Sequence, residues 1–436
     1  MLSKFSSKFN IKSELLKSAL VLSSGTILAQ GISYVLMPFI TRLYTPEDFG
    51  EFGMIMRIVA FLAVVGAGRY EFAIPLPKKD EHAFHIYRLT LRILVWTVSL
   101  SLIAGIVFWL FKEDSSQLLF YIVLISAITG FTVFINIGRH WAIRMKWFRN
   151  ITLSTLLTSA TSNIGKLLAG LAGLGVVGLA VSTLLGLIVG SLVFVFDAFG
   201  VYKNKDNFKS NRRRAAMAKR YSDFPKVNLP HYLIDGAREL LIAFFLTLYM
   251  STYLFGSYDH SFRMLKIPLL LVGVAISQVL YNRMSADFAV KKSIYPLLKK
   301  SVFTLISIGI IPFGVIYFWG APIFSFVFGE QWTLSGEIAS ALSPWLMANF
   351  VASSISMVPS IINKLRWYFW VGMVLTAVQL LCFAFLPELM NSLNLNEVGV
   401  IEMISWMMFV LYALIIVWQL KIVLVMDEKR SNHEVK

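Results

Sequence analysis

Apolar stretches of membrane-crossing length, set apart by short polar connections, recur twelve times along this 436-residue chain. They run over 18–39, 49–73, 88–110, 118–138, 151–172, 176–198, 230–252, 262–282, 301–320, 338–361, 368–388 and 401–422. At a rise of about 1.5 Å per residue, each is long enough to cross the hydrocarbon layer as a helix. The pattern predicts an all-α polytopic membrane protein. The first block is too long for a cleavable signal and leads directly into further spans.

The polar connections alternate in charge. Those following odd-numbered blocks are nearly free of Lys and Arg, with Arg42 and Lys112 as the exceptions. Those following even-numbered blocks hold Lys78, Lys79, Arg139, Arg144, Lys146 and Arg149, and later Lys291, Lys292, Lys299 and Lys300. A basic amphipathic start carries Lys4, Lys8, Lys12 and Lys17. Positive charge marks the cytoplasmic side, so both termini are expected to be cytoplasmic. The formal charge of +16 is thereby a topology signal and does not call for nucleic acid.

Composition agrees with this reading. Apolar residues make up 57% and charged residues 15% of the chain, against about 25% charged in a soluble protein. The single cysteine, Cys382, excludes internal disulfides and cysteine-based metal sites. The six histidines, His82, His85, His140, His231, His260 and His433, show no metal-ligand spacing, and no nucleophile elbow or phosphate-binding glycine loop is present. No enzyme activity and no cofactor are expected, and energy coupling falls to H⁺, Na⁺, the membrane potential or the substrate gradient.

The longest polar connection, 199–229, carries Lys203, Lys205, Lys209, Arg212, Arg213, Arg214, Lys219 and Arg220. It divides the chain into 1–198, a basic cytoplasmic linker, and 230–436. Six spans per half predict two bundles related by a pseudo-twofold axis along the membrane normal, around a central cavity. Phe49-Gly50 precedes Arg57 by the spacing at which Phe255-Gly256 precedes Arg263, as a duplicated bundle requires. Gly165, Gly170, Gly173, Gly175, Gly178, Gly186 and Gly190 predict close helix packing in spans five and six. Pro268, Pro312, Pro344 and Pro359 mark places for bends or fixed kinks.

Charge at membrane depth is costly and marks function. Arg57 and Arg263 occupy corresponding places in spans two and eight, Lys166 lies mid-span in span five beside Asn163, and Lys266 follows Arg263 by three residues. A cavity lined by Arg57, Lys166, Arg238, Arg263 and Lys266 would attract an anion such as a phosphate-bearing headgroup; snorkelling to the outer headgroups is the competing account for the arginines. In span seven, Asp235 and Glu239 could take a coupling H⁺ or Na⁺, and Arg238 beside them makes local pairing an equal competitor. Arg69 and Glu71, at the inner end of span two, suit a gate or packing contact.

Gly25 to Gln30 (GTILAQ), Thr41 to Gly50 (TRLYTPEDFG) and Arg69 to Pro77 (RYEFAIPLP) make the chain resemble the bacterial polysaccharide/O-antigen flippase family, within the multidrug/oligosaccharidyl-lipid/polysaccharide exporter superfamily. Asp223-Phe224-Pro225, Gly256 to Pro268, Gly273 to Tyr281 and Gln331 to Glu337 extend the likeness over almost the whole chain. The resemblance implies alternating access and transfer of undecaprenyl-pyrophosphate-linked oligosaccharide units to the outer leaflet for O-antigen, capsule or exopolysaccharide assembly. It also implies partners among membrane lipids and polysaccharide-assembly proteins, with Arg57, Lys166 and Arg263 near the headgroup. Both halves lie in one chain, so a monomer is expected. An ion-coupled small-molecule exporter of the same superfamily and a membrane saccharide polymerase or ligase are the alternatives.

Overall fold

Long apolar runs with few interior breakers satisfy their backbone hydrogen bonds within themselves, which is the requirement hydrocarbon imposes. The computed structural model describes residues 25–111, 116–203 and 211–434, and these contain helices and turns without a strand. The basic start with Lys4, Lys8, Lys12 and Lys17, residues 18–24 of the first block, and Lys112, Lys205 and Lys209 lie outside the described residues. Each of the twelve apolar blocks overlaps a helix. Seven helices among the described residues are long and apolar enough to cross a membrane by length and composition. Large apolar side chains stand uncovered along them, such as Trp96, Phe111, Phe318 and Phe326. Exposure on that scale fits a lipid-facing surface and not a soluble one.

Chain packing separates two compact units, dividing at Leu240 and Leu241. The first contains α1 (Gly25–Thr41), α2 (Pro46–Val65), α3 (Asp80–Leu110), α4 (Ser116–Met145), α5 (Phe148–Leu171), α6 (Gly175–Lys203), α7 (Asn211–Arg220) and the start of α8 (Leu229–Tyr249). Helices α5 and α6 make the closest pairing. A methyl group on Gly186 would lie 2.6 Å from the Thr158 carbonyl oxygen, so only hydrogen fits there. Ser154 fastens the same seam by donating to the Gly190 carbonyl at 2.8 Å. Gly165, Gly170, Gly178, Gly186 and Gly190 thus do what the sequence predicts of them, whereas Gly173 meets nothing within 4 Å and serves a turn at φ 67°.

Two expectations for this unit need correction. The second apolar block was expected to stay helical to residue 73, but α2 stops at Val65. Gly68 and Arg69 follow with φ of 59° and 60°, a left-handed pair that ends the helix. Tyr70–Ala73 then forms a single 3₁₀ turn. Arg69 and Glu71 therefore lie beyond the helix, not within a span. Among the described residues, the connection 199–229, expected as a basic linker, is largely helical: α6 continues to Lys203, α7 packs on α3, and a π-turn at Phe224–Asn228 leads into α8.

The second unit contains the rest of α8, α9 (Thr252–Ala289), α10 (Tyr295–Phe328), α11 (Thr333–Ser354), α12 (Val358–Ile361), α13 (Leu365–Ala384), α14 (Leu386–Leu393) and α15 (Glu397–Glu434). Its centre is α11, packed by α9, α10 and α15. Ser335, Gly336, Ala339, Ala341 and Ser343 keep it slim enough for this, and a methyl on Gly336 would meet the Ala321 Cα at 2.5 Å. The backbone leaves helical geometry at Trp319, three residues before Pro322. Pro322, whose ring crowds the preceding turn, accounts for that kink; the expected Pro312 and Pro344 sit in helix that continues past them. Pro359 opens the four-residue α12 after α11 has ended. Trp367 and Trp418 stack at 3.7 Å between centroids, joining α13 to α15.

Candidate functional site

Helix α2 presents the first group. Thr45 caps it, accepting from the Asp48 amide while the Asp48 carboxylate accepts from the Thr45 amide at 2.9 Å. Twelve residues after the cap stands Arg57, which donates to the Gly53 carbonyl at 3.5 Å. Lys166 reaches the same turn of α2 from α5, with Nζ 4.9 Å from the centre of the Phe52 ring. The structure thus brings Arg57 and Lys166 to neighbouring residues of one helix. Tyr44 steadies this arrangement by donating to the Lys166 carbonyl at 2.7 Å. Burial, helped by Asp48, pushes the Tyr44 phenol up to about 12, so it remains a donor at any physiological pH. Asn163 is used otherwise: it donates to Ser33 at 3.0 Å and to the Ser159 carbonyl at 2.8 Å, tying α5 to α1.

The Arg69 segment is a clasp. Its guanidinium lies 3.6 Å from the Tyr232 ring centre and 4.7 Å from that of Phe72, with the buried Glu71 carboxylate at 3.7 Å. Tyr70 donates to the Ala218 carbonyl at 3.0 Å, so the 3₁₀ turn holds both α7 and α8. Arg144 secures the following loop through the carbonyls of Ile74, Pro75 and Pro77 and the Asp80 carboxylate at 2.8 Å. Arg213 of α7 pairs with Glu81. These contacts use the motif for packing at a helix junction.

On α8, Arg238 lies 3.6 Å from Asp235 and 3.2 Å from Glu239. Local pairing, one of the two sequence readings, is the arrangement present.

The second unit supplies Arg263 and Lys266 on α9. Arg263 pairs at 2.8 Å with Asp259, a carboxylate only 2% exposed. Asp259 escaped the sequence reading, although its position one turn before Arg263 is the spacing of a helical ion pair. The local repeat is longer than the sequence reading made it. Ser251 caps α9 as Thr45 caps α2, and cap, Phe-Gly and arginine fall at equal spacings in both helices. One turn before the arginine the halves differ: Gly53 in the first, Asp259 in the second.

Lys266, its ammonium 4.4 Å from the Phe262 ring centre, lines a cavity of about 560 Å³ between α9 and the end of α11. Ser277, Tyr281, Asn349, Phe350 and Ser353 line it too. The sequence reading also passed over Asn349, Ser353 and Ser356, although their spacing of four and three residues puts them on one face near the end of span ten. The first unit thus offers Arg57 and Lys166 beside one turn of α2; the second, taken by itself, offers a neutralised arginine on α9 and a mixed polar and aromatic cavity ending in a lysine.

Residues 39–337 match the family described as polysaccharide biosynthesis protein. The chain is 20% identical over 324 residues to the succinoglycan biosynthesis transport protein ExoT of Rhizobium meliloti (strain 1021), a match spanning 72% of this chain and 62% of that relative's length. Among solved structures, the lipid II flippase MurJ in its inward closed conformation superposes with a TM-score of 0.66 at 15% identity, covering 91% of this chain and 87% of MurJ. An inward-facing multidrug resistance MATE family transporter of the MOP superfamily gives a TM-score of 0.61 at 16% identity, covering 95% of this chain and 99% of that one. At these identities the two structures show a shared fold.

Proposed function

Because this chain belongs to the polysaccharide biosynthesis protein family, we propose that it is a flippase for undecaprenyl-pyrophosphate-linked oligosaccharide units. It carries them from the cytoplasmic to the outer leaflet of the bacterial inner membrane, feeding O-antigen, capsule or exopolysaccharide assembly. It works by alternating access with six spans to each half, 1–198 and 230–436, and both termini in the cytoplasm. The likeness to ExoT and the MOP fold support this reading.

The observation that carries it is the placement of Arg57 and Lys166 against one turn of α2. A pyrophosphate entering hydrocarbon alone meets a desolvation cost of tens of kcal/mol, and it crosses only where fixed cations replace its water. Arg57 and Lys166 do so in the first half and Lys266 in the second, while Arg263 and Arg238, already paired with Asp259 and with Asp235 and Glu239, contribute only when those pairs open. Substrate bonds stay intact. Asp235 and Glu239 remain the candidates for H⁺ or Na⁺ coupling, with Arg238 as the group whose release would free them.

The test is reconstitution of the full chain into vesicles with lipid-linked oligosaccharide and an assay of its exposure on the outer leaflet. Protein-dependent translocation is expected, slowed about tenfold or more by Arg57→Gln with Lys166→Gln, from loss of two charge-assisted contacts. Absence of translocation by folded protein under H⁺ and Na⁺ gradients refutes the flippase reading. Release of a soluble small molecule instead would favour the exporter.

A further inference from the structure

We propose that the cavity between α9 and the end of α11 is a saccharide-binding site, occupied by the glycan of the transported lipid; this rests on the flippase reading. Its volume of about 560 Å³ falls within the range of about 300–1,000 Å³ typical of small-ligand sites.

The pointer to a ligand is Ser277. It is 8% exposed, it lines the cavity, and its hydroxyl has no hydrogen-bond partner among the described residues. Helical serines commonly bond back to the preceding turn, and neighbours across the cavity do so: Ser353 and Ser354 donate to the Phe350 carbonyl at 3.1 and 2.9 Å. Ser277 forgoes that bond. A buried hydroxyl left unsatisfied costs about 1–3 kcal/mol, which a ligand with its own hydroxyls recovers.

The remaining lining narrows the chemistry. Asn349 and Gln278 offer amides that both donate and accept, matching sugar hydroxyls, which do the same. Phe350 and Tyr281 offer ring surface for the C–H faces of a pyranose. Lys266 is the cation among the lining residues and suits an acidic substituent or the neighbouring phosphate. A polyprenyl tail would leave the amides and Ser277 unmatched. Inorganic phosphate would meet one cation and several carbons.

The experiment uses full-length protein in nanodiscs and two probes: undecaprenyl pyrophosphate, and lipid-linked oligosaccharide extracted from membranes of the producing cells. Ser356→Cys in a Cys382→Ser background reports cavity occupancy through maleimide labelling, and binding of both lipids is measured in parallel. The oligosaccharide lipid is expected to bind more tightly and to protect the cysteine, while undecaprenyl pyrophosphate leaves it reactive. Ser277→Val with Asn349→Leu is expected to lower affinity for the oligosaccharide lipid about tenfold, the worth of two hydrogen bonds, and to leave undecaprenyl pyrophosphate binding unchanged. Equal protection by both probes, or a double variant that keeps its preference for the sugar-bearing lipid, overturns the saccharide assignment and leaves the flippase reading standing. Failure of folded protein to bind either probe overturns the flippase reading, and the saccharide site with it.

Discussion

Removing Arg263 should be felt in stability, and removing its partner as well should restore much of what is lost. Arg263 faces Asp259 at 2.8 Å, and that carboxylate is only 2% exposed. Removing one partner of a buried pair costs about 3–5 kcal/mol because the other charge loses its counterpart. The Arg263 side chain is 34% exposed, so water screens part of the interaction. The expected loss for Arg263→Gln is therefore about 2–3 kcal/mol, below the fully buried range. Equilibrium unfolding of the purified protein in mixed detergent, followed by tryptophan fluorescence, measures it. Adding Asp259→Asn to Arg263→Gln should recover most of the loss, giving a coupling energy of about 2 kcal/mol in the double-mutant cycle. An Arg263→Gln variant as stable as the parent, or no recovery in the double, refutes the assignment of Arg263 to Asp259.

Two further outcomes are expected. Tyr44→Phe removes the 2.7 Å bond to the Lys166 carbonyl and should cost about 1 kcal/mol in the same unfolding assay; in the parent protein, tyrosinate absorbance should include a late phase near about 12 to which this phenol contributes, and the variant should lose part of that phase. Arg69→Ala strips the guanidinium from the Tyr232 and Phe72 rings and leaves a non-glycine residue at φ 60°, so proteolysis between α7 and α8 should quicken, whereas Arg69→Lys should restore part of the protection.

The helices were legible in the sequence because hydrocarbon admits so few backbone arrangements: each apolar block had little alternative to a helix. What eluded the pattern depended on single residues. Hydropathy carried the second block past Val65, because Phe72, Ala73 and Ile74 are apolar, whereas the left-handed step at Gly68 and Arg69 breaks the helix first. The basic connection reads as solvated linker by charge, yet Tyr70 and Arg213 dock α7 and turn it into structure. At the candidate sites, the count of cations was visible and their partners were not. Lys166 against Phe52 joins residues more than a hundred positions apart, which no local spacing reveals. Asp259 beside Arg263 was within reach, since a one-turn spacing is written in the sequence itself. Ser277 and Asn349 carry no signal as residue types, and only the cavity singles them out.

Helix α11 has a bearing on how the protein is made. Its apolar window has a mean hydropathy of 1.3, the lowest of the seven, and 78% of that window is covered by the rest of the protein. A segment so modestly greasy, edged with serines and glycine, enters a bilayer poorly by itself and must wait for companions. Helices α9 and α10 precede it during synthesis, but α15 follows some forty residues after α11 and α12. Until the ribosome has delivered α15, one side of α11 stands against lipid with Ser405's partner surface at Trp345 unfilled. The packing of α11 is thereby tied to the later synthesis of α15.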